Sequence, residues 1–216
     1  MKQRDYWDQA ADTKNFTTPF HREVFAGYVS KEAYILDLGC GYGRTLRELW
    51  ESGYHNLHGI DFSEKMIERG KSENPSIDFQ TMKGREIELP DRSADAVILF
   101  AVLTCIIGDE DQKYLMKEIR RVLKPGGIVY VNDFLLNNDA RNLVRYEAFA
   151  EKLGVYGAFE LPEGAVCRHH DEKWIRELFS SFCIKEFEHI TFTTMNGHTS
   201  NGFYLIGVCD QESRRC

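Results

Sequence analysis

The sequence predicts an α/β domain with a parallel sheet and right-handed crossovers, and three observations predict it. Short apolar runs alternate with segments of helical periodicity from about residue 34 to 132. One of those runs, Ala94-Asp95-Ala96-Val97-Ile98-Leu99-Phe100, has the continuous apolar character of a strand buried on both faces. The first run, Ile35-Leu36-Asp37-Leu38, leads into Gly39, Gly41 and Gly43, which reads as strand, tight loop and helix. Glycine in such a loop tolerates positive φ and lets a ligand approach the backbone, and the helix behind it aims N–H groups at the same place.

The elements follow in order. Residues 2–11 form a short amphipathic helix containing Tyr6 and Trp7. Thr18 and Pro19 read as N-cap and first position of a second helix reaching about residue 29. Strand one is about 34–38, and a helix from about 43 stops near Gly53. Strand two runs from Asn56 to Ile60 and ends in Gly59-Ile60-Asp61. Ser63 caps a helix carrying Met66, Ile67 and Gly70, which ends before Pro75. Strand three is Ile77 to Met82 and strand four 94–100. Asp111 to Leu123 is helical, with Leu115, Ile119, Val122 and Leu123 on one side. Lys124-Pro125-Gly126-Gly127 is a turn into strand five, Ile128 to Asn132.

The alternation then breaks. Residues 134–183 form a long connection with a helix near 138–153 and another near 171–182. The later one has Asp171 as N-cap and Ile175, Leu178, Phe179 and Phe182 at helical spacing. Two final strands, about 184–193 and 202–209, are joined through Met195-Asn196-Gly197-His198, where Asn-Gly is a turn signal. Their closeness places an antiparallel strand at one edge of the sheet. The expected organisation is one domain over 1–216, with a helical lid (1–30), a core (33–133), an insertion (134–183) and a C-terminal strand pair (184–210).

The chain has 216 residues, 43% hydrophobic and 28% charged, as in ordinary globular proteins. A net charge of −7 makes nucleic acid an unexpected partner. No apolar stretch approaches the roughly 20 residues of a membrane span, and Met1-Lys2-Gln3-Arg4-Asp5 lacks the apolar segment of a signal peptide. A cytoplasmic chain with no membrane association is expected. The six cysteines, Cys40, Cys105, Cys167, Cys183, Cys209 and Cys216, include no Cys-x-x-Cys pair and read as reduced thiols.

The glycine loop narrows its ligand. A dinucleotide loop of the form Gly-x-Gly-x-x-Gly would require glycine where Arg44 stands, and no Lys-Ser or Lys-Thr follows as in a triphosphate loop. Asp61, ending strand two, is placed to accept hydrogen bonds from both hydroxyls of a ribose.

Four motifs in order then give the chain its resemblance: Leu36-Asp37-Leu38-Gly39-Cys40-Gly41-Tyr42-Gly43; Gly59-Ile60-Asp61-Phe62-Ser63 with Met66-Ile67; Glu88-Leu89-Pro90 followed by Ser93-Ala94-Asp95-Ala96-Val97; and Arg121-Val122-Leu123-Lys124-Pro125-Gly126-Gly127. The chain resembles the class I S-adenosylmethionine-dependent methyltransferases over about residues 33–133, and more loosely throughout. The resemblance implies a Rossmann-like, seven-stranded, mostly parallel sheet with helices on both faces and an antiparallel last strand. It also implies S-adenosylmethionine as cofactor. Gly39, Cys40, Gly41 and Gly43 would form the loop beneath it, and Asp37 would lie close to its ammonium group. Asp61 would hold the ribose with Phe62 beside the adenine, Glu86 would meet the adenine edge, and Phe100 would touch the methionine portion. Tyr6 would reach it from the lid. Two departures stand out: relatives often carry Asp five residues before the Leu-Pro proline, where this chain has Arg85, and many read Leu-His-His after strand four, where it reads Leu103-Thr104-Cys105-Ile106.

The acceptor must be covered by residues 1–30, the insertion and the turn at 194–201. Tyr6, Trp7, Phe16 and Phe20 either form a lid or dock the helices. His169 and His170 are candidates for general base or acceptor binding, the alternative being surface or capping histidines. Tyr156, Phe159, Arg168, Asn196 and His198 are acceptor-binding candidates. A metal site from His169, His170, His198 and Cys167 lacks metal-ligand spacing, so no metal is expected. The expected function is methyl transfer to a small-molecule acceptor. A methyltransferase for a modified tRNA base and a non-catalytic cofactor-binding module are the alternatives.

Overall fold

The computed structural model describes residues 3–210. Lys2 of the expected first helix and Cys216 lie outside the described residues. Strands β1 (Ile35–Leu38), β2 (Leu57–Asp61), β3 (Asp78–Thr81), β4 (Ala94–Phe100) and β5 (Leu123–Phe134) run parallel. Helices α3 (Arg44–Glu51), α4 (Glu64–Glu73) and α5 (Asp109–Val122) connect them. Ser63 caps α4 by accepting from Met66 N, as its position indicates.

β5 is longer than expected. Leu123 already pairs with Ala94, a register shift follows, and Gly126 takes φ +75° within it, so the Lys-Pro-Gly-Gly turn is a kink inside the strand.

The sheet order is β3-β2-β1-β4-β5-β9-β8, where β8 is Cys183–Thr193 and β9 is Thr199–Val208. β9 is antiparallel to both neighbours, so the antiparallel last strand lies one position in from the edge rather than at it. The reason is composition. β9 buries Phe203, Leu205 and Ile206 completely, whereas β8 carries Lys185, Glu186, Glu188 and His189. The apolar strand takes the interior position and the charged strand the edge, which also discourages pairing with other chains.

Alternation along the strands divides the core between two faces. Leu36, Leu38, Val97, Leu99, Val129 and Val131 meet Ile119 and Val122 of α5 and Ile175 of α7 (Glu172–Leu178). Ile35, Ala96, Ile98 and Tyr130 meet Phe25 of α2 (Arg22–Ala26) and Leu46 and Leu49 of α3.

α2 begins later than Thr18-Pro19 suggests. Phe20 is drawn in against Phe25, Phe100 and Tyr130, Thr17 Oγ1 donates to Thr193 O at 2.8 Å, and Pro19 O accepts from Asn132 Nδ2 at 3.1 Å. These anchors hold residues 15–20 outside any helix. α1 (Gln3–Ala10) packs separately: Tyr6, Ala10 and Ala11 form a small core with Tyr42, Met66 and Ala165 above the glycine loop.

The insertion holds α6 (Ala140–Leu153), capped by Asp139 and ended at Gly154 with φ +70°. It also holds a hairpin absent from the sequence reading, β6 (Ala158–Glu160) with β7 (Val166–Arg168). These strands are three residues each, too short for alternation to register in the sequence. β7 is extended by a bridge between His170 and Leu135, which brings the histidine pair against the end of β5.

Candidate active site

A cavity of about 1160 Å³ opens at the carboxyl ends of β1, β2 and β4. This exceeds the range of about 300–1,000 Å³ usual for one small ligand. Its floor is the loop after β1. Gly39, Gly41 and Gly43 all have positive φ, between 54° and 79°. A Cβ on Gly39 would lie 2.6 Å from Val102 Cγ2, and one on Gly41 2.4 Å from Phe16 Cε2.

Four of the loop's N–H groups are spent inside the protein. Gly39 N and Cys40 N donate to Ile60 O (2.7 and 3.1 Å), Gly41 N to Asp61 Oδ2 (2.9 Å) and Gly43 N to Cys40 O (3.0 Å). A phosphate would need those donors free. Two carboxylates face the cavity here, together with Arg44, whose guanidinium is already paired with Glu48 at 2.7 Å. Asp37 is buried with Oδ1 lacking any partner, and burial pushes its pKa up to about 7, Arg44 opposing and Asp61 adding to the rise. Asp61 is pushed up to about 6 by burial, against the bonds it accepts from Ser63 N and Gly41 N. Each oxygen of Asp61 accepts one backbone N–H and keeps a lone pair for a ligand. An orphan buried carboxylate beside a saturated glycine loop suits a ligand that brings a cation and hydroxyl donors. S-adenosylmethionine, with its ammonium group and ribose, fits that donor set.

Phe62, Phe100, Cys40 and Tyr6 also line the cavity. Tyr6 has a buried hydroxyl without a hydrogen-bond partner. Ala101, beside Phe100, takes φ +54°, a conformation that only Arg92 shares among described non-glycine residues. Nothing in the sequence marks this strained position.

Other expected site residues fall elsewhere. Glu86 is exposed and off the cavity, whereas Arg85 lines it, paired with Asp111 at 2.6 Å. The bend at 84–86 turns the neighbouring side chain outward. Gly43 lies behind the loop as N-cap of α3, against Phe79. Tyr156 is exposed against Tyr146. Arg168 is buried off the cavity, bonding Ile107 O (2.9 Å) and Asp109 (2.6 Å) to tie β7 to the segment after β4.

The histidines divide. His170 is buried off the cavity between Gln112 Nε2 (2.9 Å) and Phe134 O (3.2 Å), and burial holds its pKa near 3. His170, a catalytic candidate by sequence, thus sits off the cavity with both ring nitrogens engaged within the protein. His169 does line the cavity, stacked on Phe134 with ring centroids 5.1 Å apart. Burial, then Arg145, holds its pKa well below the usual histidine range. Its Nδ1 meets Tyr146 Oη at 2.6 Å and Asn137 Nδ2 at 3.1 Å.

Phe159, Asn196 and His198 are on the cavity wall. Arg141 and Arg145 were not anticipated, although their spacing of four on α6 places them on one helix face. Above the site, Gln3, Lys14 and Thr17 tie the lid to the acceptor side. Gln3 Nε2 donates to Val166 O (2.9 Å) and Gln3 Oε1 accepts from Val166 N (3.2 Å). Lys14 Nζ donates to Asn196 Oδ1 (2.9 Å), beside the Thr17–Thr193 bond.

Sheet order, the internally bonded glycine loop and the two carboxylates at the strand ends together make a site suited to a nucleoside cofactor. Residues 35–127 match the family described as methyltransferase domain. The chain is similar to a solved S-adenosylmethionine-dependent methyltransferase of Methanosarcina mazei, with a TM-score of 0.83 and 26% identity over 88% of this chain and 98% of that one. It is 29% identical to the 27-O-demethylrifamycin SV methyltransferase of Amycolatopsis mediterranei (strain S699), over 70% of this chain and 57% of that protein. It is 32% identical to the eEF1A lysine and N-terminal methyltransferase of Bos taurus, over 48% of this chain. The chain spans only 16% of the latter's length. Residues 35–127 therefore match a methyltransferase domain, the fold is that of solved S-adenosylmethionine-dependent methyltransferases, and both imply S-adenosylmethionine as the cofactor.

Proposed function

We propose that this protein transfers a methyl group from S-adenosylmethionine to a small organic molecule. The observation that carries the small-molecule reading is the roof. Gln3–Val166 and Lys14–Asn196 bridge the lid to the β6–β7 hairpin and to the β8–β9 turn, covering the acceptor end. A folded protein or tRNA would need these bonds broken before a residue could enter. The volume in excess of one small ligand supports room for cofactor and acceptor together.

Asp37 would hold the cofactor's ammonium group and Asp61 its ribose, with Gly39 and Gly41 beneath and Phe62, Phe100 and Tyr6 around it. When bound, the cofactor supplies a methyl already activated on sulfonium. The protein's contribution is alignment: Phe16, Trp7 and Tyr6 exclude water, and the far wall orients the nucleophile. Incubation with methyl-labelled cofactor and separate pools of metabolites, proteins and tRNA tests this. Label in the metabolite pool is expected, and label confined to protein or tRNA would refute the reading.

A further inference from the structure

The far wall of the cavity has an electrical character that neither the cofactor nor the lid explains. Arg145 lines it, partly buried, with Nε lacking a hydrogen-bond partner. Its guanidinium lies 3.5 Å above the centroid of Phe159. No carboxylate forms an ion pair with it among the described residues; the groups acting on it are Tyr146, Arg141 and Cys167. Arg141, one turn away, adds a second positive charge, and Asp139, which caps α6 through Asn142, ion-pairs with Arg141 at 3.9 Å and not with Arg145.

The remaining acids of the cavity are engaged or distant. Asp37 and Asp61 sit at the ends of β1 and β2 beside the glycine loop, Asp111 pairs with Arg85, and Glu160 pairs with Lys152 at 2.7 Å. Glu163 acts on Tyr6 and Cys167 and makes no ion pair with Arg145.

His169 joins the same wall, its ring centroid 5.0 Å from that of Phe159. Tyr146 fixes its tautomer. Tyr146 Oη accepts from Asn137 N at 3.2 Å and is approached by the Arg145 guanidinium, and neither of those groups can accept a proton. The hydroxyl hydrogen therefore goes to His169 Nδ1, which leaves the single proton of the neutral ring on Nε2, the nitrogen left to the cavity. A ring in that state donates a hydrogen bond and cannot serve as a base through Nε2.

We propose that the acceptor carries a carboxylate or similar small oxyanion, held between the Arg145 guanidinium and the Nε2–H of His169, with Arg141 adding charge. This rests on the small-molecule reading above and names its substrate class. Arg145 and His169 bind and orient the acceptor.

The test is a panel of small carboxylic acids, each paired with its neutral primary amide, screened by ligand-observed NMR against the protein with and without S-adenosylhomocysteine. Acids are expected to bind and their amides to bind at least about ten-fold more weakly, a difference of about 1.4 kcal/mol. Arg145→Gln should remove the preference while calorimetry shows unchanged S-adenosylhomocysteine affinity, and Arg145→Lys should keep part of it. Nitrogen NMR of His169 should show a bare Nδ1 and a protonated Nε2. Equal binding of acids and amides, a panel in which no acid binds, or an acid preference that survives in Arg145→Gln would overturn the proposal. The acid–amide comparison on the unaltered protein stands if Arg145→Gln does not fold. Failure of S-adenosylhomocysteine to bind would count against the methyltransferase reading alone, because acid preference is also read without it.

Discussion

Gln3 and Val166, separated by 163 positions in the chain, exchange two hydrogen bonds as paired strand residues do. A side-chain amide thereby caps the open edge of β7 and fastens α1 across the cavity. Gln3→Ala removes both bonds, each worth about 1 kcal/mol. Product release is expected to accelerate by about five- to thirty-fold, read as the S-adenosylhomocysteine off-rate by stopped-flow fluorescence of Trp7, with overall stability little changed.

Asp61 holds the glycine loop and, on the proposed reading, the ribose, and one variant removes both contacts. Its oxygens hold Gly41 N and Ser63 N, so Asp61→Ala frees the loop as well as removing the ribose contact. Cofactor affinity should fall at least several-fold by calorimetry, about 1 kcal/mol or more. Unchanged affinity would sink the ribose assignment.

On the proposed reading, Asp37 makes cofactor binding depend on pH. Its pKa of about 7 in the free protein means that much of it is protonated just below neutrality. A bound ammonium favours the carboxylate, so binding must release that proton. Affinity for S-adenosylhomocysteine should therefore weaken as pH falls below about 7, by at most about ten-fold per pH unit, and hold steady above it. Calorimetry in buffers of different ionisation heat measures the proton release, and Asp37→Asn should abolish its part of the slope.

Gly41 is constrained twice, by φ +54° and by Phe16 at 2.4 Å from any added Cβ. Gly41→Ala should weaken cofactor binding by displacing the Phe16 ring. Adding Phe16→Ala should recover only part of the loss, because the backbone cost of about 1–2 kcal/mol remains. Full recovery would show that only the ring matters.

His169 and His170 should behave differently despite adjacency. His170→Ala breaks the contacts with Gln112 and Phe134 O and should cost about 1–3 kcal/mol in urea unfolding, with cofactor affinity kept. His169→Ala should raise the acceptor KM while cofactor affinity stays constant.

Much of the core was legible because its signals are local. Asp37, the glycines, Asp61 and Ser63 lie within short motifs whose backbone demands are met by their own neighbours. Glu86 and Arg85 show the limit. One bend decides which of two adjacent polar residues reaches the cavity, and no periodicity spans it. Phe20 shows another: its ring is claimed by Phe25, Phe100 and Tyr130, so the Thr18-Pro19 helix start gives way to packing.

The sequence by itself determined the parallel sheet and, through its resemblance to a family, the cofactor, since the order of strands and helices and the glycine motif are properties of consecutive residues. Only the tertiary structure decided the acceptor wall. Arg145, Tyr146, Phe159 and His169 come from α6 and the β6–β7 hairpin, and whether a histidine acts as base, donor or packing depends on the hydrogen bond at its other nitrogen. That partner is chosen by contacts between distant segments.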